Sequence, residues 1–186
     1  MKLIKPFQES HNIARRYFVV NGFDGALTML GIIVGFYFSA SVVIETVIHA
    51  CMGAAVALGI SGISSAYMSE VAERKKELRD LEDAMIQDLS DTTHEDLSKT
   101  IPIFIAIANG VSPFIISLII LIPLFLSYKL GLALIDPLLA SLLVAFSLIF
   151  VLGVYLGKIS RTFWLWSGLR TLLIALLTTF VIYLIS

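Results

Sequence analysis

The chain has 186 residues, 58% hydrophobic and 15% charged, with a mean hydropathy of +0.94. Water-soluble domains run near half apolar and a quarter charged, so these values exclude an ordinary soluble globule and indicate a membrane protein. The formal charge of −1 says little, because the charges are unevenly placed; no nucleic-acid partner is expected, and the single Cys51 excludes an intramolecular disulfide.

Residues 1–16, "MKLIKPFQESHNIARR", lack a short apolar stretch ending in a small-residue cleavage site, so no removable signal peptide is expected. They read as a cytoplasmic N-terminal segment. The first apolar span covers 17–40, and Asp24 lies about two turns into it, roughly 10 Å from Tyr17 at 1.5 Å per residue. A carboxylate within a bilayer costs roughly 2.5–3.5 kcal/mol on insertion scales, which makes it a functional candidate by default. Thr28, one turn on, offers a hydroxyl oxygen on the same face, and Met29 a softer ligand. The alternative is a structural carboxylate hydrogen-bonded to Thr28, or one snorkelling to the interface; the depth is awkward for so short a side chain. Gly22, Gly25, Gly31 and Gly35 permit close approach of neighbouring helices.

The second span covers 44–68, completing a unit of two transmembrane helices over 17–68. Glu45, His49 and Met52 stand at i, i+4 and i+7 near its outer end. They can ligate a metal or carry a proton at an exit, or form an interfacial Glu–His pair beside an ordinary core methionine. Ser61, Ser64 and Ser65 are small interface residues first and ligands second, and Met68 is a packing residue or a further soft ligand. Cys51 reads as a small core residue.

Segment 69–100 holds ten of the fourteen acidic residues and reads as an acidic cytoplasmic helical segment. Its stretch "SEVAERKKELRDLEDAMIQDL" has neither Gly nor Pro, so the second helix is expected to run on out of the membrane. Glu70, Glu73, Glu77 and Asp80 recur at helical spacing as an acidic stripe. Leu78, Leu81, Met85 and Leu89 make a separate apolar stripe that wants a partner. The stripe is either a solvated face offset by Arg74, Lys75, Lys76 and Arg79, or a recruiting surface for divalent cations through Glu70, Glu73, Glu77, Asp80 and Met85. Its spacing fits no established metal signature. "SDTTHEDLSKTIP" then reads as a turn, a short capped helix and the start of span three, with Asp88, Asp91, His94, Glu95 and Asp96 crowded into the region.

Three further spans, 101–126, 132–157 and 164–185, make up the unit 101–186. Helices are required throughout, because open strands would leave backbone groups unpaired in lipid. Pro113 and Pro123 are expected to kink span three, with Asn109 satisfying freed backbone groups, and Trp164 and Trp166 to form an interfacial belt. Basic residues alternate sharply between sides. The N-terminal segment, 69–100 and the loop with Lys158 and Arg161 carry eleven; the opposite side carries Lys129 alone. The positive-inside rule puts the N-terminus and 69–100 in the cytoplasm and the C-terminus outside. There is no P-loop, no serine–histidine arrangement and no zinc-protease motif, so no enzyme activity is expected.

The stretch "DGALTMLGIIVG" (24–35) resembles the Asp-Gly-x-x-Thr-x-Leu-Gly-Ile-x-x-Gly motif of the vacuolar iron transporter family, and "SGLRTLLIALLTTFVIYLI" is similar to its last span. The likeness covers nearly the whole chain. It implies five spans, a cytoplasmic N-terminus, an acidic helical extension between spans two and three, and transport of Fe²⁺ or Mn²⁺. It also places Asp24 on an ion path at a homodimer interface. At the family's span-two methionine stand Ala66 and Tyr67, with Met68 displaced, and Ser69-Glu70 matches its closing Gly-Glu loosely. The insert is shorter than in the plant-type members.

The resulting expectation is an all-α, five-span homodimer that moves Fe²⁺ or Mn²⁺ out of the cytoplasm in exchange for protons, with metal as cargo and no resident cofactor. Its ion path comprises Asp24, Thr28, Met29, Ser65 and Met68, with Glu45, His49 and Met52 at the exit. The membrane is the plasma membrane in a prokaryote or a vacuolar-type membrane in a eukaryote. The rivals are a passive cation channel built on the same Asp24 residues, and a non-transporting adaptor whose acidic helix binds a protein.

Overall fold

The structure, a computed structural model, describes residues 4–39, 41–86, 93–131 and 135–185, with side chains described at His11, from Ile13 in the first helix and from Lys99 in the third. Five helices follow in order: α1 (Ile4–Tyr37), α2 (Ile44–Met85), α3 (Thr93–Leu130), α4 (Pro137–Ile159) and α5 (Trp164–Ile185). Among the described residues there is no strand, and each helix contains a stretch long and apolar enough to cross a membrane.

Several boundaries differ from those read in the sequence. Helix α1 is continuous from Ile4 and ends at Tyr37, three residues short of the 40 read in the sequence. Arg15 and Arg16 lie inside this continuous helix, whose basic side chains are long enough to stretch toward water. Helix α2 runs unbroken through the junction at Met68, as expected, and stops at Met85 because Ile86 turns into the left-handed region (φ 51°), which β-branched residues rarely occupy. Its 42 residues measure about 63 Å, twice the hydrocarbon thickness, so its charged end must leave the bilayer. No separate short helix precedes span three: α3 is continuous from Thr93, and Pro102 and Pro113 are carried inside it. Asp88, Leu89 and Asp91 lie outside the described residues. Lys129 belongs to the last turn of α3 rather than to a loop, and Gly131 (φ +62°) ends that helix with its amide donating to the Ser127 carbonyl at 3.1 Å. The fourth span starts at Pro137 rather than at 132. The Asp136 carboxylate accepts from the Leu138 amide at 2.8 Å, and Pro137 fills a first-turn position that needs no donor.

The helices alternate in direction. The Phe38 and Tyr183 rings meet at 5.1 Å, joining the end of α1 to the end of α5, while Glu45 at the start of α2 interacts with Tyr128 at the end of α3. Helix α1 is the hub: it touches all four others, whereas among the described residues α2 meets only α1 and α3, and α5 only α1 and α4. The core lies around Met29, Leu30 and Ile33 of α1, with Val47 and Cys51 of α2, Leu121 and Leu124 of α3, and Ile149 of α4.

Small residues set the crossings. A side chain at Gly25 would press on the Pro113 backbone at 2.8 Å, and one at Gly22 on Ser112 Oγ at 2.8 Å, so α1 and α3 nearly touch. The carbonyl of Gly59 and the backbone of Ile63 leave no room for a side chain at Gly110, which brings α2 equally close to α3. Gly31 and Gly35 depart from the expected role: the first meets only Ile182 at 3.6 Å, the second nothing within 4 Å.

Candidate functional site

Within the hydrocarbon every polar group needs a partner, and α1, α2 and α3 share one such solution. The Asn21 amide donates to the Tyr17 carbonyl at 2.9 Å and to Oδ1 of Asn109; Nδ2 of Asn109 donates to the Gly62 carbonyl at 2.7 Å. Ser112 Oγ donates to the Phe18 carbonyl. Asn109 thus serves α2, not a group freed within α3 by proline. Thr171 ties α4 to α5 through the Ile149 carbonyl at 3.2 Å, while also meeting its own helix at the Gly168 carbonyl at 2.8 Å.

Asp24 stands apart from this network. It lies seven residues, about 10 Å, beyond Tyr17 and thirteen residues before the helix ends at Tyr37. Its carboxylate is exposed at the edge of an apolar cavity of about 210 Å³ between α1, α4 and α5, whose walls include Phe23, Leu152, Gly153, Thr171 and Ile174. Among the described residues the carboxylate has neither an ion pair nor a hydrogen-bond partner. Thr28 donates to the Asp24 backbone carbonyl at 2.8 Å, not to the carboxylate, and keeps its oxygen lone pairs.

The other residues read as ion-path candidates do not gather around Asp24. Met29 is fully buried in the core, since five residues of helix turn it about 140° from Asp24. Ser65 and Met68 lie on the exposed face of α2, Met68 66% exposed and Ser65 Oγ bonded to the Gly62 carbonyl at 3.4 Å. At the far end Glu45 and His49 are exposed and Met52 is half-buried against the core.

On the extension of α2, Glu70 is half-buried, and Glu73, Glu77 and Asp80 are exposed along one face. Glu77 pairs with Arg74 at 2.7 Å, so part of the stripe's charge is offset locally. Leu81 and Met85 are 43% and 56% exposed, an apolar edge without cover. Among the described residues no three His, Cys, Asp or Glu side chains converge as a metal site. Sequence reasoning passed over Asn21 altogether; a second lone amide in an apolar span was the signal that it had a partner.

The model of the VIT family matches residues 71–186, more than half of the chain. The chain belongs to the VIT family, the vacuolar iron transporter family its motifs resemble. That match begins after Asp24, so it rests on the α2 extension and on α3–α5 rather than on the span-one motif. An uncharacterized protein of Methanocaldococcus jannaschii is 26% identical over 174 residues, covering 92% of this chain and 87% of the relative. No solved structure matches the chain. Family membership and five apolar helices place this VIT-family chain among multi-pass membrane transporters of metal ions.

Proposed function

We propose that the chain is a homodimeric transporter that moves Fe²⁺ or Mn²⁺ out of the cytoplasm in exchange for protons. The observation that carries this reading is Asp24: a carboxylate within the first apolar span, exposed beside an apolar cavity, with no partner among the described residues. An isolated carboxylate in hydrocarbon must be neutralised, by a proton or by a metal, and exchange of one for the other is the elementary step of antiport. A second copy of α1 across a twofold axis would cover the exposed carboxylate and set two of them around one path.

The cytoplasmic side is the one holding the N-terminus and the α2–α3 connection, supported by the eleven-to-one distribution of basic residues, and the C-terminus lies outside. On this orientation Glu70, Glu73 and Glu77, with Asp80 and Met85 behind them, attract metal to the inner mouth. Glu45 and His49, with Met52, line the outer exit. The membrane is the plasma membrane in a prokaryotic cell and a vacuolar-type membrane in a eukaryotic one.

Proteoliposomes test the whole reading. Fe²⁺ or Mn²⁺ uptake driven by an imposed pH gradient, and matching proton movement driven by a metal gradient, are the expected results. Metal flux indifferent to the pH gradient would replace antiport with a passive channel, and no flux of any divalent metal would remove transport.

A further inference from the structure

A second cavity, of about 450 Å³, opens between the starts of α1 and α3 and the end of α4. Its upper part is polar and cationic, formed by His11, Arg15 and Tyr155; its lower part is apolar, formed by Phe18, Phe104 and Val151. Among the described residues no carboxylate lines it. Arg15 is half-buried, its Nε is shielded from solvent without a hydrogen-bond partner, and no described residue forms an ion pair with it. Phe104 and Val151 are 46% and 57% exposed, so the apolar wall faces the surrounding hydrocarbon. On the orientation proposed above, its cationic end is the one toward the cytoplasmic headgroups and its apolar end the one toward the acyl chains.

We propose that this groove binds an anionic phospholipid, its phosphate held by Arg15, His11 and the Tyr155 hydroxyl and one acyl chain lying along Phe18, Phe104 and Val151. Charge complementarity picks the headgroup, because a half-buried guanidinium with no counter-ion among the described residues gains most from a phosphate, to which its planar donors are matched. The apolar wall picks a lipid over free phosphate, since an inorganic anion leaves that half of the groove unfilled. Basic pockets between membrane helices are a recurrent form of such recognition. Occupancy would brace α1 against α3 and α4 on the flank next to the Asp24 cavity, with which the groove shares Val19 and Leu152.

The test uses the purified, delipidated full chain, offered palmitoyl-oleoyl phosphatidylglycerol or phosphatidylcholine, with lipid retention read by native mass spectrometry and stability by thermal unfolding. The parent should retain phosphatidylglycerol about tenfold better than phosphatidylcholine. Arg15→Gln should abolish that preference, while Arg16→Gln, on the neighbouring exposed position, should keep it. Val151→Trp, which fills the apolar half and leaves every charge in place, should lower retention of phosphatidylglycerol; it decides the matter if Arg15→Gln does not fold. Glycerophosphate, with no acyl chain, should not stabilise the protein. Equal retention of both lipids by the parent overturns the proposal. So does equal loss of preference in Arg15→Gln and Arg16→Gln, or stabilisation by glycerophosphate matching that by the whole lipid. A groove found closed to both lipids by a second copy of the chain overturns it too.

Discussion

Asn21 and Asn109 meet side chain to side chain across α1 and α3, and Asn109 carries the hydrogen bonding on to the Gly62 carbonyl of α2. One amide pair therefore holds three helices in register. Asn109→Leu keeps the branched shape and heavy-atom count and removes both links, and should destabilise the bundle by about 1–2 kcal/mol, the range for interhelical hydrogen bonds in membranes. In a cycle with Asn21→Leu the double variant should lose less than the sum of the two singles. Unfolding by denaturing detergent measures this, and strict additivity would show that the two amides act independently.

Asp24 is the residue on which transport turns in the proposed function. Asp24→Asn keeps the shape and removes the charge, so it should insert and assemble normally while losing most metal flux in proteoliposomes. Asp24→Glu should retain part of it. Parental flux in Asp24→Asn would make the carboxylate structural.

The stripe on the α2 extension should act on affinity rather than on turnover. Replacing Glu70, Glu73 and Glu77 together with Gln should raise the apparent KM for metal severalfold and leave the saturated rate near that of the parent. Because Glu77 is paired with Arg74, Glu77→Gln alone should have the smallest effect of the three. Initial uptake rates over a metal series distinguish these outcomes, and an unchanged KM in the triple variant would leave the stripe as a solvated face.

Glycines at crossings and glycines in open space should respond in opposite directions. Gly110→Ala drives a methyl group into the Gly59 carbonyl and should lower the unfolding temperature, with a penalty of about 1–3 kcal/mol typical of overpacking. Gly35→Ala meets nothing within 4 Å and should be neutral or stabilising by up to about 1 kcal/mol, from helix propensity. Thermal melts of the two variants side by side are sufficient.

The homodimer has its own measurement. Asp24 at an open cavity edge, Leu81 and Met85 uncovered on α2, and the outward apolar face of α5 all favour association of copies. Mass determination in lipid nanodiscs should give twice the chain mass, and a monomer in lipid as well as in detergent would count against it.

Much of the architecture was legible before any coordinates, because hydropathy acts one residue at a time. Five long apolar runs, a helix without Gly or Pro that carries α2 past Met68, and the motif around Asp24 are all properties of the chain read in order. The misjudged boundaries were local too: Asp136-Pro137 is a cap followed by a first-turn proline, visible in sequence yet outweighed by the apolar residues before it. Lys129 was read as a loop residue because charge was weighed above the helix's capacity to carry a long basic side chain at its end.

What the sequence determined by itself is which segments are apolar enough to enter the bilayer, which end carries the positive charge, and that a carboxylate lies inside the first of them, since each is a property of residues read one at a time. Which face each residue occupies was decided only by the tertiary structure. Met29 and Asp24 are five residues apart in one motif, yet one is buried in the core and the other opens on a cavity, because α1 is packed by four helices of unequal coverage. Gly25 is pressed against Pro113 while Gly35 is free, and Asn21 finds Asn109 across 88 positions of chain. Those pairings depend on crossing positions between helices, which are set by the sum of many small contacts and which no single residue's preference encodes.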